Sequence, residues 1–375
     1  MNSQLMNSQS DRPILIAGGG TGGHIYPGVA IARAILATRP NLKVEFVGAR
    51  GGLEEKIIPR EGFTLHLIPV GKLHASVGRW TQIKTLLGLP LAFVKAWQIL
   101  SSVRPQAVLG VGGFASGPLL AVAALRGFRT LIWEPNAHAG LANRWLARIV
   151  DRVLVVFEAA RAQLQRPDAI TTGLPVRAEI RPRSPRVRAP GELRVLVFGG
   201  SQGARFINQV VAQAVRDGGS WLNGVELVHQ TGRLDHPTVS PIYRELGNPR
   251  LTCHEYLHDM HERYAWADVV VCRAGASTVA EIAAAGKAAV FVPLPTAADD
   301  HQRKNAEVLV KAGAAMMIEQ RDLKVSTLTS LIQKLRDDVQ SLVEIEKAVL
   351  KFAEFDAARK IASEVLGDSD PTDKT

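Results

Sequence analysis

The sequence contains few cysteines and few aromatic residues. Cys253 and Cys272 are the only two cysteines in 375 residues, and aromatic residues make up 6%. Two cysteines cannot form the disulfide framework of a small secreted domain and are typical of a reducing compartment. The sequence also has no basic stripe interleaved with aromatic residues and no helix-turn-helix signature, so we expect no nucleic-acid partner.

Basic residues outnumber acidic residues, and the acidic residues do not form the usual metal-binding patterns. The 45 Lys and Arg residues against 35 Asp and Glu give a formal net charge of +10, which suits an anionic membrane surface or a phosphorylated substrate. The Asp-x-Asp triplet at 368–370 falls in a polar tail. Cys253 and the histidines at 254, 258 and 261 fall at helical spacing, but no second cluster completes four zinc ligands. We therefore predict no metal site.

An uninterrupted membrane-spanning run is also missing. Residues 105–125 are uncharged and long enough to cross a bilayer, but four glycines and Pro118 interrupt them. This pattern predicts a buried strand, a turn and a helix. The polar residues 1–11 do not resemble a signal peptide, and we expect a flexible N-terminus there.

Apolar runs typical of strands alternate with helical patterns along the whole chain, and 33 glycines accompany a hydrophobic fraction of 46%. This alternation predicts an α/β protein with two tandem Rossmann-like domains, each a doubly wound parallel sheet, facing a cleft. The expected divisions are a first domain at 12–175, a Pro- and Arg-rich linker at 176–192 and a second domain at 193–340. Helices at 341–366 are expected to pack back across the domains, followed by a disordered tail at 367–375.

Three glycine-rich segments each follow a predicted strand and precede a predicted helix. Their sequences are GGGTGGH at 18–24, GVGGFASGP at 110–118 and GGSQGAR at 199–205. Such turns place backbone N–H groups and a helix N-terminus where a diphosphate can bind. A tight turn without a ligand is the alternative. No Gly-Lys-Ser/Thr follows, so these are not Walker loops.

Two further motifs in the second half carry polar groups at predicted strand ends. In RAGASTVAE at 273–281, the Glu281 carboxylate can accept hydrogen bonds from a ribose diol. Alternatively, Ser277 or Thr278 caps the helix and Glu281 completes a capping box. The segment DHQRKNA at 300–306 offers donors and acceptors to sugar hydroxyls, or is simply a charged helix start.

Taken together, these motifs resemble the MurG family, the undecaprenyl-diphospho-muramoylpentapeptide β-N-acetylglucosaminyltransferases of bacterial cell-wall synthesis. The resemblance runs in order from about residue 12 to 355 and includes EPNA at 134–137. It implies a two-domain glycosyltransferase of the GT-B type. Such an enzyme transfers N-acetylglucosamine from UDP-N-acetylglucosamine, with inversion, to the muramoyl 4-hydroxyl of lipid I, forming lipid II and UDP. The donor is a substrate, and no cofactor is expected.

The resemblance also implies site residues, carried over motif by motif. The donor contacts fall on Thr21, Gly22, Gly23, Asn136, Arg177, Ser201, Gln202, Gly203, Ala276, Ser277, Thr278, Val279, Ala280, Glu281 and Gln302, with the main chain at Leu257 facing uracil. The acceptor diphosphate is assigned to Gly19, Gly20, Gly112, Gly113 and Ser116. The sequence departs from the family where Glu-Pro-Asn replaces the common Glu-Gln-Asn at 134–136 and where Tyr256-Leu257 replaces a Phe-Ile type pair.

An inverting transfer needs a base for the acceptor hydroxyl and stabilisation of the departing diphosphate. Without a metal, the second task is assigned to Ser201, the 199–203 backbone and Arg177. His24 is the candidate base, because imidazole titrates near neutral pH. Alternatively His24 caps its helix or only binds substrate. Glu134 is then the next candidate; alternatively, its carboxylate caps a helix or braces its loop.

The acceptor's polyprenyl tail implies docking at a membrane. Residues 73–100 alternate apolar and basic side chains, and the expected membrane patch is Trp80, Ile83, Lys84, Leu86 and Leu87. We expect a peripheral protein on the cytoplasmic face of the inner membrane, serving cell-wall growth and cell division alongside other cell-wall synthesis proteins. A UDP-N-acetylglucosamine 2-epimerase and a non-catalytic nucleotide-sugar-binding module are the competing interpretations.

Overall fold

A computed structural model describes residues 12–19, 22–70, 79–113, 115–183, 188–189, 191–200 and 202–368, without the side chains of residues 22, 79–87 and 298. The chain forms two compact units. The first contains the residues up to Pro175 together with those from Asp356 onward, and the second is Val176–Phe355.

The first unit is built on a parallel sheet. Within the described residues the strand order is β3-β2-β1-β4-β5-β6-β7. The strands are β1 (Ile14–Ala17), β2 (Val44–Ala49), β3 (Thr64–Ile68), β4 (Ala107–Gly110), β5 (Arg129–Glu134), β6 (Arg152–Val155) and β7 (Ile170–Thr171). The helices are α1 (Gly22–Thr38), α2 (Glu54–Arg60), α3 (Arg79–Val103), α4 (Ser116–Leu125), α5 (Leu141–Leu146), α6 (Ala159–Leu164) and, from the end of the chain, a helix at Ala357–Leu366.

The second unit repeats this plan with strand order β10-β9-β8-β11-β12-β13, again parallel throughout. Its strands are β8 (Leu193–Phe198), β9 (Val225–Gln230), β10 (Leu251–His254), β11 (Val269–Cys272), β12 (Ala288–Phe291) and β13 (Met316–Met317). Its helices are α7 (Arg205–Asp217), α8 (His236–Leu246), α9 (Met260–Trp266), α10 (Ala276–Ala285), α11 (His301–Lys311), α12 (Val325–Asp337) and α13 (Val339–Val349). The helix at Ala357–Leu366, in the first unit, is α14.

The central strands are buried on both faces because helices cover both sides of each sheet. Every residue of β1, β4 and β11 is buried, which explains why these strands are continuous apolar runs without alternation. The predicted fold class, two tandem doubly wound α/β domains, is confirmed. In such sheets the carboxyl ends of the strands carry the ligand-binding loops, and the glycine-rich segments lie there.

Several local predictions can be compared directly with the structure. Between residues 105 and 125 the chain forms the strand β4 and the helix α4, as predicted. Among the described residues, no helix is long and apolar enough to cross a membrane. The histidines at 254 and 261, which fall at helical spacing in the sequence, do not share a helix, because His254 lies on β10 and His261 on α9. Residues 341–366 are divided between the units: α13 belongs to the second, whereas α14 packs on α1 and β4 in the first.

Candidate active site

In the first unit, His24 is held against a second glycine-rich segment. It lies in the first turn of α1, half-buried, and its Nδ1 is 3.0 Å from the carbonyl oxygen of Val111. A carbonyl oxygen can only accept, so Nδ1 donates, and in the neutral ring the lone pair is on Nε2. The structure therefore joins the segments at 18–24 and 110–118, which sequence spacing alone could not connect.

The backbone around His24 leaves no room for larger residues. Gly112 has φ +96°, and a Cβ atom there would lie 2.8 Å from Cε1 and Nδ1 of the imidazole. A Cβ on Gly113 would lie 2.5 Å from the carbonyl oxygen of Gly19. The two glycine-rich segments thus contact each other backbone to backbone, which accounts for the glycines at 112 and 113.

Ser116 holds the second segment to the first strand. Its buried hydroxyl lies 2.8 Å from the carbonyl oxygen of Ala17 and 2.9 Å from that of Gly112. The hydroxyl proton therefore points into the protein. Ser116 was assigned to the acceptor diphosphate loops, and its contacts are those of a residue that shapes the loop.

Glu134 lies at the end of β5 and is 2% exposed. Its carboxylate accepts hydrogen bonds from the backbone N–H of Asn136 at 2.9 Å and of Gly140 at 3.0 Å. It also accepts from the side-chain amides of Asn136 at 3.1 Å and Asn143 at 2.9 Å. Burial raises the pKa of this carboxyl, while the four donors act in the opposite direction. This geometry favours the loop-bracing alternative over a base.

Sequence reasoning missed a second buried carboxylate, Glu54 at the start of α2. It is fully buried, and its Oε1 accepts the backbone N–H of Ala49 at 2.8 Å. Cβ atoms on Gly19 or Gly52 would lie 2.1 and 2.2 Å from its carboxylate oxygens. The glycines at 19 and 52 therefore make room for Glu54 beneath the first glycine-rich segment. The sequence carried no signal for this non-local contact.

In the second unit, Glu281 lies in the middle of α10 and is paired. Its Oε1 accepts from the Arg177 guanidinium at 2.9 Å, and its Oε2 accepts from the Tyr264 hydroxyl at 3.0 Å. The capping-box alternative is wrong, because α10 begins at Ala276 with Gly275 at the N-cap and no side-chain cap hydrogen bond. Tyr264, which is 1% exposed, was not recognised from the sequence.

The third glycine-rich segment, at 199–203, leads from β8 into α7. Gly203 has φ +79°, and a Cβ there would lie 1.9 Å from the carbonyl oxygen of Thr231. A Cβ on Gly199 would lie 2.2 Å from the backbone nitrogen of Ala204. Gly199 thus lies close to the backbone at 203–204 and Gly203 packs against the end of β9, while Gln202 is exposed.

Gln302 and Leu257, two other assigned donor contacts, make main-chain hydrogen bonds. Gln302 Oε1 accepts the backbone N–H of Leu294 at 3.1 Å, beside the loop after β12. The backbone N–H of Leu257 donates to Gln230 Oε1 at 3.0 Å, and the Leu257 side chain is buried. Arg273, unassigned on the sequence, braces the same β12 loop by donating to the Val292 carbonyl oxygen at 2.9 Å.

Some assigned positions lie outside the described residues. These are Gly20, Thr21 and Ser201, together with the side chains of Trp80, Ile83, Lys84, Leu86 and Leu87. Of the assigned positions that are described, Gly22 begins α1 and Gly23 is exposed in its first turn. The first turns of α10 contain Ala276, Ser277, Thr278, Val279 and Ala280. Among the described residues, no group of three His, Cys, Asp or Glu side chains is arranged to hold a metal ion.

Comparison with known proteins covers nearly the whole chain. Residues 14–155 match the glycosyltransferase family 28 N-terminal domain, and residues 194–361 match the family 28 C-terminal domain. A Bdellovibrio bacteriovorus protein is 46% identical over 94% of this chain and 98% of its own length. A Myxococcus xanthus protein is 40% identical over 93% of this chain and 91% of its own. Both are named UDP-N-acetylglucosamine--N-acetylmuramyl-(pentapeptide) pyrophosphoryl-undecaprenol N-acetylglucosamine transferase.

Solved structures show the same architecture. The MurG crystal structure from Acinetobacter baumannii superimposes with a TM-score of 0.78 at 28% identity, covering 95% of this chain and 99% of that one. A UDP-N-acetylglucosamine 2-epimerase superimposes with a TM-score of 0.63 at 13% identity, covering 95% and 96%, which is a likeness of fold alone. The two domain matches and the 46% identity establish that the chain belongs to glycosyltransferase family 28, among the N-acetylglucosamine transferases of the MurG family.

Proposed function

We propose that this chain transfers N-acetylglucosamine from UDP-N-acetylglucosamine to the muramoyl 4-hydroxyl of lipid I, giving lipid II and UDP. The observation that carries the proposal is the 46% identity, over 94% of the chain, to a transferase named for that acceptor. The glycine-rich turns at strand ends and the paired Glu281 in α10 support it, because such groups can bind a diphosphate and a ribose.

The transfer inverts the anomeric carbon in one displacement. The acceptor oxygen forms a bond to that carbon while the bond from the carbon to the β-phosphate oxygen breaks, and its electron pair leaves with UDP. The acceptor proton passes to His24 Nε2, which holds the lone pair because Nδ1 donates to Val111. Ser116 shapes the segment that holds His24, and Glu134 braces the loop after β5; neither enters the proton transfer.

The leaving diphosphate is stabilised without a metal. The turn at 199–203 opens α7, whose 13 residues present a helix N-terminus with its backbone N–H groups. Arg177 adds a guanidinium that is half exposed while Glu281 holds it. These groups meet the developing negative charge at fixed positions, which is how an enzyme lowers the barrier of such a step.

We further propose that the protein is peripheral, docking on the cytoplasmic face of the inner membrane. Exposed apolar side chains on α3 and at the end of α4 support this: Leu91 is 60% exposed, Trp97 55% and Leu125 83%. The Arg126 guanidinium lies 4.3 Å from the Trp97 ring centroid, so a cation accompanies the apolar surface. This combination suits an interface with anionic lipids.

One assay tests the reaction itself. The protein is incubated with labelled UDP-N-acetylglucosamine and a lipid I analogue, with and without EDTA. We expect labelled lipid II in both samples. UDP-sugar epimerisation or binding without lipid product would overturn the transferase proposal, and complete loss in EDTA with recovery on adding magnesium would overturn metal independence.

Vesicle sedimentation tests the membrane proposal. We expect salt-sensitive binding to anionic vesicles that is weakened when Trp97 and Leu125 are both replaced by alanine. Leu234, which is 80% exposed in the second unit, provides a matched alanine control that should bind like the wild type. Equal binding by the wild type and the double variant would contradict the assignment of this surface.

A further inference from the structure

The last residue of β9, Gln230, joins two segments through its side-chain amide. Its Nε2 donates to the carbonyl oxygen of Gly200 at 2.9 Å, and its Oε1 accepts the backbone N–H of Leu257 at 3.0 Å. The side chain is 3% exposed. A buried amide with both ends satisfied by main-chain groups fixes the distance between those groups.

The backbone that follows Gln230 presses against the same turn. A Cβ on Gly232 would lie 2.3 Å from the carbonyl oxygen of Gln202. On the other side, the Thr231 N–H donates to the His254 carbonyl oxygen at 3.0 Å and the Gly232 N–H to that of Glu255 at 3.0 Å. Residues 230–232 therefore lie between the turn at 199–203 and the segment at 254–257 and are bonded to both.

The chemistry of glutamine suits this position. The Gly200 carbonyl needs a donor and the Leu257 N–H needs an acceptor, and a neutral amide supplies one of each. A glutamate would keep the acceptor but place an oxygen against the Gly200 carbonyl. A methionine would keep the volume and lose both bonds, leaving buried main-chain groups without these partners.

We propose that Gln230 is a positioning residue that holds the turn at 199–203 in the shape that binds the donor diphosphate. This inference rests on the proposed function, which assigns the diphosphate to that turn. Because the amide also holds Leu257, a change at Gln230 removes the side-chain link between the turn and the 254–257 segment. Phosphate contacts depend on the direction of successive backbone N–H groups, so loosening the turn weakens binding of the diphosphate more than binding of a nucleoside.

The test compares the wild type with Gln230→Met and Gln230→Glu, and uses Gln213→Met, at an exposed position of α7, as the control. Titration calorimetry measures the affinities for UDP and for uridine. We expect both Gln230 variants to bind UDP at least 10-fold more weakly and to lose more affinity for UDP than for uridine. In Gln230→Glu, which keeps the acceptor for the Leu257 N–H, uridine affinity should change less than threefold. The control should match the wild type for both ligands.

Two binding results would overturn the inference. One is UDP affinity within threefold of the wild type in a folded Gln230→Met protein, and the other is equal proportional losses for UDP and uridine, which indicate general loosening. Failure of the wild-type protein to bind UDP would instead contradict the proposed function. Amide hydrogen exchange without nucleotide tests the Gln230 bond by itself. Exchange at Leu257 should accelerate in Gln230→Met and stay near wild type in Gln230→Glu, and unchanged exchange in the methionine variant would contradict the proposal.

Discussion

Replacing Glu281 with alanine tests whether its carboxylate contacts the donor ribose or only holds Arg177. In the structure the carboxylate accepts hydrogen bonds from Arg177 at 2.9 Å and Tyr264 at 3.0 Å, and its side chain is 19% exposed. A carboxylate in this state has lone pairs left for a ribose diol, because each oxygen accepts more than one hydrogen bond.

The size of the effect follows from these contacts. A hydrogen bond to a charged group contributes about 1.5–3 kcal/mol, so losing the ribose contact should weaken UDP binding by roughly 10- to 150-fold. The variant also leaves the buried Tyr264 hydroxyl without its acceptor, which costs about 1–3 kcal/mol of folding stability. Thermal unfolding must therefore accompany the binding data to show that the second unit remains folded.

Calorimetric titration with UDP and with 2′-deoxy-UDP separates the two roles. The wild type should bind UDP more tightly than 2′-deoxy-UDP, and Glu281→Ala should bind both alike. Tyr264→Phe removes the buried hydroxyl but keeps the carboxylate, so the preference for UDP should survive there. If Glu281→Ala weakens both nucleotides by the same factor and keeps the preference, the carboxylate acts through Arg177 and the ribose assignment is refuted.

Three further predictions concern other parts of the structure. Gly112→Ala should displace the His24 ring and lower the free energy of unfolding by about 1–3 kcal/mol, because residue 112 has a positive φ. Gly117→Ala should be tolerated, because a Cβ atom there has no neighbour within 4 Å. Unfolding measurements and turnover assays on both variants test this difference. His24→Ala should lower turnover by roughly 10²–10⁴-fold with UDP affinity retained, and a raised acceptor KM with normal turnover would instead indicate a substrate-binding role. Burial lowers the pKa of His229 to about 3, so the unfolded chain, with a pKa of about 6.5, binds the proton first as pH falls. Stability should drop below about pH 6.5 by up to about 1.4 kcal/mol per pH unit, and urea unfolding at pH 7.5 and 5 should show a smaller drop for His229→Gln.

The sequence predicted the features that depend on local pattern. The parallel sheets follow from apolar runs, and the turns at 18–24, 110–118 and 199–205 follow from glycines between strand and helix. These patterns are read within a window of neighbouring residues, and the structure places each of the three at a strand's carboxyl end. Fold class could therefore be predicted without knowing any long-range contact.

The pairing of side chains could not be predicted in this way. Tyr264 contacts Glu281 across 17 residues, and Gln230 contacts Gly200 across 30. Nothing in the local sequence marks these partners. The histidines that begin at 254 fall at helical spacing in the sequence, yet residues 251–254 form a strand because they pair with β9, so tertiary context and not local spacing decides their structure.

The helix α14 has a consequence for how this chain is synthesised. Its buried residues Ala357, Ile361, Ala362 and Val365 pack into the first unit. Arg129 donates to the Glu364 carbonyl oxygen in its last turn, and Arg39 donates to the Asp368 carboxylate just after it. The second unit is one continuous stretch, Val176–Phe355, that leaves the ribosome before α14 does. The first unit therefore completes its core only after the whole of the second unit has been translated, so the second unit can fold before the first is finished.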